Sequence, residues 1–187
     1  MTGKRLSVAF SIKLEPPLPT GTLAMTLTIR PAERADAALI LRFITELAIY
    51  EKAEHEVKTD VAGIESSLFG EHSTTHGLIC ELDGEPIGFA VYFFNYSTWL
   101  GKHGLYLEDL YVSPQQRGAG AGKALLRHLA KMAVARGCGR FEWSVLDWNT
   151  PAIEFYEAIG AKAQDEWIGY RLSGEALVAF ASGTRSV

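Results

Sequence analysis

Residues 105–123 read L-Y-L-E-D-L-Y-V-S-P-Q-Q-R-G-A-G-A-G-K, and this segment is the most informative of the chain for its fold. Its first half is rich in aliphatic and aromatic residues, which predicts a strand over Leu105–Val112. Its second half is a glycine-rich turn. Beyond the turn, apolar residues at helical spacing predict a long helix from about Lys123 to Arg136, and Gly137 stops it. A strand therefore runs through a glycine-rich turn directly into a helix.

The three glycines of this turn, Gly118, Gly120 and Gly122, keep Cβ atoms away from the backbone. The N–H groups of the turn can then point at one spot, where the helix start adds its partial positive charge. Such a backbone nest binds phosphate or pyrophosphate. Arg117 and Lys123 can add side-chain charge. The pattern predicts an anion site, and a glycine-rich turn without a ligand is the alternative.

Two common phosphate motifs do not fit this turn. The P-loop pattern G-x-x-x-x-G-K-[ST] would need Gly at position 117, which is Arg, and a hydroxyl at position 124, which is Ala. The dinucleotide pattern G-x-G-x-x-G fails because its third glycine falls on Lys123 or on Leu125. The pattern that does fit is R-x-x-G-x-G over residues 117–122.

Hydrophobic periodicity places further elements on both sides of this unit. Strands are predicted over Thr26–Arg30, Leu78–Leu82, Pro86–Phe94, Arg140–Leu146 and Trp167–Leu172, and the pair Asp83-Gly84 predicts a hairpin between the second and third. Helices are predicted after the N-caps Asp36 and Thr59, from Thr150-Pro151 to Gly160, and after Ser173. In the first helix Leu39, Phe43, Leu47 and Tyr50 form one apolar face. The order β-α-α-β-β-β-α-β-α-β predicts a mixed α/β sheet.

The chain length of 187 residues suits one domain with a tail. Pro16, Pro17, Pro19 and Gly21 are typical of a linker. We therefore expect residues 1–24 to be a disordered N-terminal extension and residues 25–187 to be one domain. Eighteen Lys and Arg against 22 Asp and Glu give a net charge of −4, which argues against broad nucleic-acid binding and against a polybasic membrane-surface protein.

The cysteines and histidines predict neither a disulfide framework nor a metal site. Two cysteines, Cys80 and Cys138, favour a reduced, cytoplasmic compartment, and neither has an evident histidine partner for nucleophilic catalysis. The five histidines show no metal-ligand spacing, so we expect no metal. Nor does any stretch reach the roughly 18 apolar residues of a membrane-spanning helix.

A second motif follows the glycine turn at residues 148–161, W-N-T-P-A-I-E-F-Y-E-A-I-G-A. Together with R-x-x-G-x-G in this order, it resembles the GNAT superfamily of N-acetyltransferases. The resemblance implies a mixed, mostly antiparallel twisted sheet flanked by helices, with an acyl-CoA site at the strand–glycine loop–helix. It also implies acetyl-CoA as co-substrate.

The resemblance assigns cofactor-binding roles residue by residue. The strand, the loop and the later helix contribute Leu110, Tyr111, Val112, Arg117, Gly118, Ala119, Gly120, Ala121, Gly122, Lys123, Asn149 and Tyr156. In the family the Asn contacts the pantetheine arm and the Tyr lies beside the thioester sulfur. A plain turn residue at Asn149 and a core aromatic at Tyr156 are the alternatives.

Shorter segments narrow the resemblance to the spermidine/spermine N-acetyltransferase branch, which includes the thialysine acetyltransferases. These segments are the strand L-Y-L-E-D-L-Y-V, E-L-A-I-Y-E at 46–51, F-G-E-H at 69–72, G-F-A-V-Y-F-F at 88–94 and W-L-G-K at 99–102. This branch implies a small primary amine as substrate, namely a polyamine, a diamine or a thialysine-like amino acid. It implies amine-binding roles for Tyr50, Glu51 and Glu108, and a homodimer.

Amide formation needs a base and an acid. An amine with a pKa near 10 is an ammonium at pH 7 and cannot attack a thioester until it loses a proton. The branch implies Glu108 as the base, acting through water, and Tyr156 as the acid that protonates the leaving thiolate. Backbone N–H groups near Leu110–Val112 would polarise the thioester carbonyl, and the transfer would be direct. Because Glu108 lies in an apolar strand, where an unpaired carboxylate is costly, we expect it to be functional.

Two other functions are compatible with these motifs. One is acetylation of a protein N-terminus or lysine, which predicts an open groove. The long segment 51–75 could close such a groove, which favours the small amine. The other is a non-catalytic acyl-CoA-binding regulatory module, and the presence of Glu108, Asn149 and Tyr156 argues against it.

Overall fold

The computed structural model describes residues 25–183. The predicted extension 1–24, with its proline-rich linker, lies outside the described residues. The backbone forms two compact units, of which the first ends at Glu142 and the second begins at Trp143. A single domain over 25–187 stays a prediction.

The sheet has five strands in sequential order along the sheet. They are β1 (Leu27–Pro31), β2 (Thr75–Leu82), β3 (Glu85–Ser97), β4 (Lys102–Val112) and β5 (Arg140–Trp143). The pairs β1–β2, β2–β3 and β3–β4 are all antiparallel. The predicted mixed and mostly antiparallel α/β sheet is confirmed.

Five α-helices accompany the sheet in the described part of the chain. The first unit contains α1 (Ala37–Tyr50), α2 (Val61–Phe69) and α3 (Ala121–Ala135), and the second contains α4 (Thr150–Ala158) and α5 (Gly174–Ala181). Short 3-10 turns cover Arg34–Asp36, Glu54–Glu56 and Pro114–Gln116. Each predicted helix is present.

Helices cover both faces of the sheet in the first unit. On one face, Phe43 of α1 stacks on Phe89 of β3 at 5.7 Å between ring centres and lies 5.9 Å from the ring of Tyr111 in β4. The start of α3 faces Leu110, because a Cβ at Gly122 would lie 3.8 Å from the Leu110 side chain. Neighbouring side chains of a strand point to opposite faces, so α3 packs on the face opposite to α1. Leu125 and Leu129 of α3 are fully buried there.

The predicted hairpin at Asp83-Gly84 is confirmed. Both residues have positive φ, 52° and 87°, as the two-residue turn that suits twisted strands requires. The Asp83 side chain also accepts a hydrogen bond from the N–H of Thr26 at 2.8 Å. The turn therefore ties the β2–β3 hairpin to the start of β1.

Two predicted N-caps act differently from what the sequence suggested. Asp36 precedes α1 but makes no capping hydrogen bond, because its carboxylate accepts two bonds from Arg30 at 2.7 and 2.9 Å and one from the N–H of Glu33. For α2 the cap is Asp60 and not Thr59, since the Asp60 side chain accepts from the N–H of Gly63 at 2.8 Å.

The predicted apolar face of α1 is wrong in part. Its fully buried residues are Ala37, Ile40 and Phe43, with Ala48 near the end. Tyr50 is 38% exposed. Leu39 and Leu47 are partly buried and pack against the same core, so Tyr50 is the one residue of the predicted face that lies outside it.

The end of one predicted strand is wrong, and another predicted strand is absent from the described residues. The strand predicted over Arg140–Leu146 ends at Trp143, and the residues of the segment predicted as the strand Trp167–Leu172 carry no strand assignment. Apolar alternation in this segment predicted a strand from local sequence alone. A strand also needs a neighbouring strand with which to form hydrogen bonds, and the local pattern does not supply one. The helix predicted after Ser173 is confirmed, with Ser173 as the extended N-cap residue of α5.

Candidate active site

The glycine loop between β4 and α3 has the conformation of an anion site. Gly118 and Gly120 have φ of 96° and 79°, in the left-handed region that favours glycine, and no atom lies within 4 Å of an added Cβ at either. Helix α3 begins with the bond from the N–H of Ala124 to the carbonyl of Gly120 at 2.9 Å. The N–H groups of residues 121–123 precede that bond, so they lack intrahelical acceptors.

This loop fits the diphosphate of an acyl-CoA. The space beside Gly118 and Gly120 is open to the backbone, and the free N–H groups carry the positive end of the α3 dipole. The side chain of Lys123 is exposed at the same helix start. The backbone N–H donors and the Lys123 cation complement the charge of a diphosphate, and the absence of Cβ atoms at Gly118 and Gly120 leaves space for it.

The Arg117 side chain lies on the α1 side of the loop. Its guanidinium carbon is 4.8 Å from the centre of the Tyr50 ring, a cation–π distance. Burial, followed by a hydrogen bond to Glu46, raises the pKa of Tyr111, and the charge of Arg117 opposes this rise. The end of α1 and the residues around the loop are therefore linked by side-chain contacts.

The end of β4 presents backbone N–H groups away from β3. The N–H of Ser113 donates to the carbonyl of Ile87 in β3 at 2.8 Å. Because N–H groups alternate along a strand, those of Val112 and Leu110 point away from β3, while the carbonyl of Tyr111 faces it at Gly88. On the outer side of β4, the N–H of Gly139, just before β5, donates to the carbonyl of His103 at 2.8 Å. Starting opposite His103, the three residues of β5 in this unit, 140–142, do not extend as far as Leu110. They therefore do not cover the N–H groups of Leu110 and Val112.

A β-bulge interrupts β4 at Glu108. Val91 pairs with Asp109 and Tyr92 pairs with Leu107, which leaves Glu108 without a residue opposite. We expected an apolar strand to bury Glu108, but its side chain is exposed. The bulge explains the difference, because the extra residue projects out of the ladder. Asp109 pairs with Val91, a residue of the core cluster on the α1 face.

Two carboxyl groups, Glu108 and Glu51, act on a third, Asp109, near the end of α1. Burial, followed by the charges of Glu108 and Glu51, raises the pKa of Asp109 to about 6. Burial also raises the pKa of Glu51, the residue that follows α1. The carbonyl end of α1 adds partial negative charge. We call Glu51, Glu108 and Asp109 the carboxylate cluster; it suits a cationic amine.

Asp109 is a candidate functional residue that the sequence analysis did not assign to the site. Its position beside Glu108 in L-E-D was a signal. Strict alternation would place the two side chains on opposite faces, so that only one need face the substrate. The bulge removes that regular alternation, and no local sequence pattern predicts the bulge.

The predicted residues of the second unit lie around α4. Asn149 is the N-cap residue of α4, and its carbonyl accepts from the N–H groups of Ala152 and Ile153. The Tyr156 ring lies 5.1 Å from the ring of Trp143 and 5.8 Å from that of Phe155. Burial raises the pKa of Tyr156 above its ordinary value, so the phenol stays protonated at neutral pH and can donate a proton.

Over residues 25–183, no group of three or more His, Cys, Asp or Glu side chains could hold a metal ion. In the same part of the chain, no helix combines the length and the apolar composition needed to cross a bilayer.

Comparisons with known proteins agree with this geometry. The model of the acetyltransferase (GNAT) family matches residues 41–161. A thialysine N-epsilon-acetyltransferase of Sus scrofa is 40% identical over 160 residues, which cover 80% of this chain and 94% of the relative. An L-ornithine N5-acetyltransferase of Arabidopsis thaliana is 33% identical, with 86% of this chain and 90% of the relative covered.

Solved structures show the same fold. An integron cassette protein of V. cholerae superposes with a TM-score of 0.71 at 27% identity, covering 84% of this chain and 99% of the other. An aminoglycoside N-acetyltransferase in complex with CoA has a TM-score of 0.62 at 21% identity, over 83% and 98% of the two chains. With the family model and the thialysine acetyltransferases matching most of its length, the chain belongs to the GNAT family of acetyltransferases, which transfer an acetyl group from acetyl-CoA to amines.

Proposed function

We propose that the protein transfers the acetyl group of acetyl-CoA to a small primary amine, which is a polyamine, a diamine or a thialysine-like amino acid. The observation that carries this proposal is the carboxylate cluster, in which Glu108 and Asp109 of the strand that leads into the glycine loop act together with Glu51 at the end of α1. Partly buried carboxylates beside a helix carbonyl end favour a cation. The relatives named for thialysine and L-ornithine support amino acids that carry a second amine.

The loop and the end of β4 hold the co-substrate in this proposal. The backbone N–H groups of residues 121–123, beside the open Gly118 and Gly120, bind the diphosphate. The outward N–H groups of Leu110 and Val112 bind the thioester carbonyl and the pantetheine amides, and so stabilise negative charge as it develops on the carbonyl oxygen. In the second unit, Asn149 contacts the pantetheine arm. Acetyl-CoA itself supplies an activated acetyl thioester.

Proton transfer then follows from the side chains. The ammonium first gives one proton to a carboxylate of the cluster, which passes it on to solvent. The neutral nitrogen then attacks the thioester carbonyl and forms the new C–N bond, while the C–S bond breaks. Tyr156 gives its phenolic proton to the leaving sulfur. The second nitrogen proton leaves as the tetrahedral intermediate collapses and restores the phenol of Tyr156 after that residue has protonated the sulfur. Asp109, with a pKa of about 6, is ionised at neutral pH and is a stronger base than an ordinary aspartate. We assign the base to the pair Glu108 and Asp109, and Tyr50 and Glu51 to amine binding.

We also propose that the protein is a cytoplasmic homodimer. The free cysteines Cys80 and Cys138 agree with a reducing compartment. The second unit exposes large apolar side chains, among them Tyr170 at 93% and Ile168 at 77%, as expected of an association surface. Sedimentation equilibrium tests the dimer: twice the chain mass supports it, and the mass of one chain refutes it.

The substrate class is tested by the release of free CoA thiol. The purified protein and acetyl-CoA are offered spermidine, spermine, putrescine, lysine, thialysine and a short peptide, each separately. Saturable turnover on at least one small amine, with the peptide inactive, is the expected result. Turnover on the peptide alone would assign protein acetylation instead. Binding of acetyl-CoA without turnover would point to a regulatory module.

A further inference from the structure

The contact between Arg117 and Tyr50 joins two parts of the proposed site. Arg117 immediately precedes the left-handed Gly118 of the loop, and Tyr50 is the last residue of α1. The guanidinium lies 4.8 Å from the ring centre. Tyr50 is followed directly by Glu51 of the carboxylate cluster. One side-chain contact therefore connects the proposed diphosphate loop to the C-terminal end of α1, where we propose that the amine binds.

A second link runs beside this one. Tyr111 lies next to the last residue of β4. It is hydrogen bonded to Glu46, which lies one helical turn before Tyr50 in α1. A cavity of about 650 Å³ borders both links and is lined by Glu46, Tyr50, Tyr111 and Gln116, among others. The space gives the Tyr50 side chain room to change position, while the Glu46 bond links α1 to β4.

We propose that Arg117 is a positioning residue for the amine, which couples the binding of CoA at the glycine loop to the binding of amine at the carboxylate cluster through the Tyr50 ring. The inference rests on the proposed function and deepens it. Under this proposal Arg117 acts mainly through Tyr50, and CoA strengthens the binding of the amine.

Two physical effects give the coupling this sign. An arginine beside an amine site repels an ammonium, and a diphosphate bound at the adjoining loop offsets that charge. Phosphate binding also orders the loop backbone, which fixes Arg117 and with it the ring of Tyr50. Because coupling is reciprocal, the amine must strengthen CoA binding by the same factor. The strength of an exposed cation–π contact predicts a factor of about two to five.

Isothermal titration calorimetry measures this coupling directly. Thialysine is titrated into the wild-type protein without CoA and with saturating CoA, and the ratio of the two Kd values is the coupling factor. Spermidine is the second probe. We expect about two- to fivefold tighter amine binding with CoA. Arg117→Gln and Tyr50→Leu should each bring the ratio close to one, and the double variant should lose nothing more.

Two variants serve as matched controls. Tyr50→Phe keeps the ring and should keep the coupling. Arg136→Gln removes another cation–π contact of this protein, which Arg136 makes with the Phe94 ring at 4.6 Å, and should leave the ratio unchanged. Thermal denaturation of every variant shows that each one is folded before its binding is compared.

Three results would overturn the inference. If Arg117→Gln weakens CoA binding but leaves the ratio unchanged, Arg117 is only a phosphate ligand. If the wild-type protein turns over thialysine or spermidine but its ratio is one, the inference fails while the proposed function stands. If the wild-type protein binds CoA but neither amine, and no small amine of the panel releases CoA thiol, both fail.

Discussion

Glu108 and Asp109 are sequence neighbours that the fold treats differently. The bulge in β4 exposes Glu108, whereas Asp109 pairs with the core residue Val91. The burial of Asp109 raises its pKa to about 6, which makes it a base suited to neutral pH. Family resemblance therefore implies Glu108 as the base, whereas burial favours its neighbour Asp109.

The pH dependence of turnover distinguishes the two carboxylates. A base must be deprotonated, so wild-type kcat/KM, which reports the free enzyme, should rise as pH increases through about 6, the pKa of Asp109. Asp109→Asn should lower kcat by about 10²- to 10⁴-fold. Glu108→Gln should keep the rise but move it below pH 6, because the charge of Glu108 no longer raises the pKa of Asp109, and it should lower turnover less than Asp109→Asn does. If Glu108→Gln abolishes that rise and Asp109→Asn keeps it, the base is Glu108.

Tyr156 provides a second test at the scale of one residue. Removing its phenolic proton in Tyr156→Phe should lower kcat by about 10²- to 10⁴-fold, because nothing then protonates the leaving thiolate. The Kd of CoA, measured by calorimetry, should change less than about twofold, since the ring remains. Phe155→Leu is the matched control for lost packing at the neighbouring ring. Unchanged turnover in Tyr156→Phe would show that Tyr156 is not the acid.

At the scale of elements, the sequence predicted what local patterns can specify. The helices followed from apolar periodicity, the hairpin from Asp83-Gly84, and the loop from the alternating glycines. The bulge at Glu108 could not be predicted, because it depends on register against β3. Asp36 was misjudged as a cap for a similar reason, since Arg30 on another element engages its carboxylate.

The glycine loop is tested by comparing two left-handed glycines. Gly120→Ala should cost about 1 kcal/mol in stability and should weaken CoA binding at least about tenfold, because a methyl group enters the phosphate approach. Gly137→Ala, at the other end of α3 with φ of 69°, should cost about the same stability. CoA binding should be unchanged in this control. Equal CoA affinity in both variants would contradict the placement of the diphosphate.

The ion pairs of Arg30 join β1, β2 and the start of α1. Arg30 contacts Asp36 at 2.7 Å and Glu81 at 2.7 Å. The Arg30 hydrogen bonds lower the pKa of Asp36, so the ionised form stabilises the fold above the ordinary aspartate pKa. That contribution is lost as pH falls through the lowered pKa.

Asp36→Asn should therefore destabilise the protein by about 1–3 kcal/mol at pH 7, an estimate reduced for the partial exposure of Arg30. The difference from wild type should shrink at acid pH, once the pH has fallen through the lowered pKa of Asp36 and its carboxyl is protonated in the wild type as well. Urea denaturation at the two pH values measures this. Glu56→Gln, at an exposed carboxylate, is the control. A destabilisation independent of pH would exclude the ionic explanation.

For the whole molecule, the distribution of charge matters more than its net value of −4. Lys123, Arg127 and Lys131 share the exposed side of α3 next to the glycine loop. The carboxylate cluster lies instead at the end of α1. An anionic co-substrate and a cationic amine are thus each attracted to a different part of the first unit.

The most direct test of the central claim is a competition experiment read by mass spectrometry. The protein and acetyl-CoA are mixed with thialysine, ornithine, lysine, spermidine, putrescine and a short peptide at equal concentrations, and the products are identified at low conversion. Our account predicts that a singly acetylated small amine dominates and that its formation matches the release of CoA thiol. Acetylated peptide as the main product, or no acetylated amine at all, would contradict it.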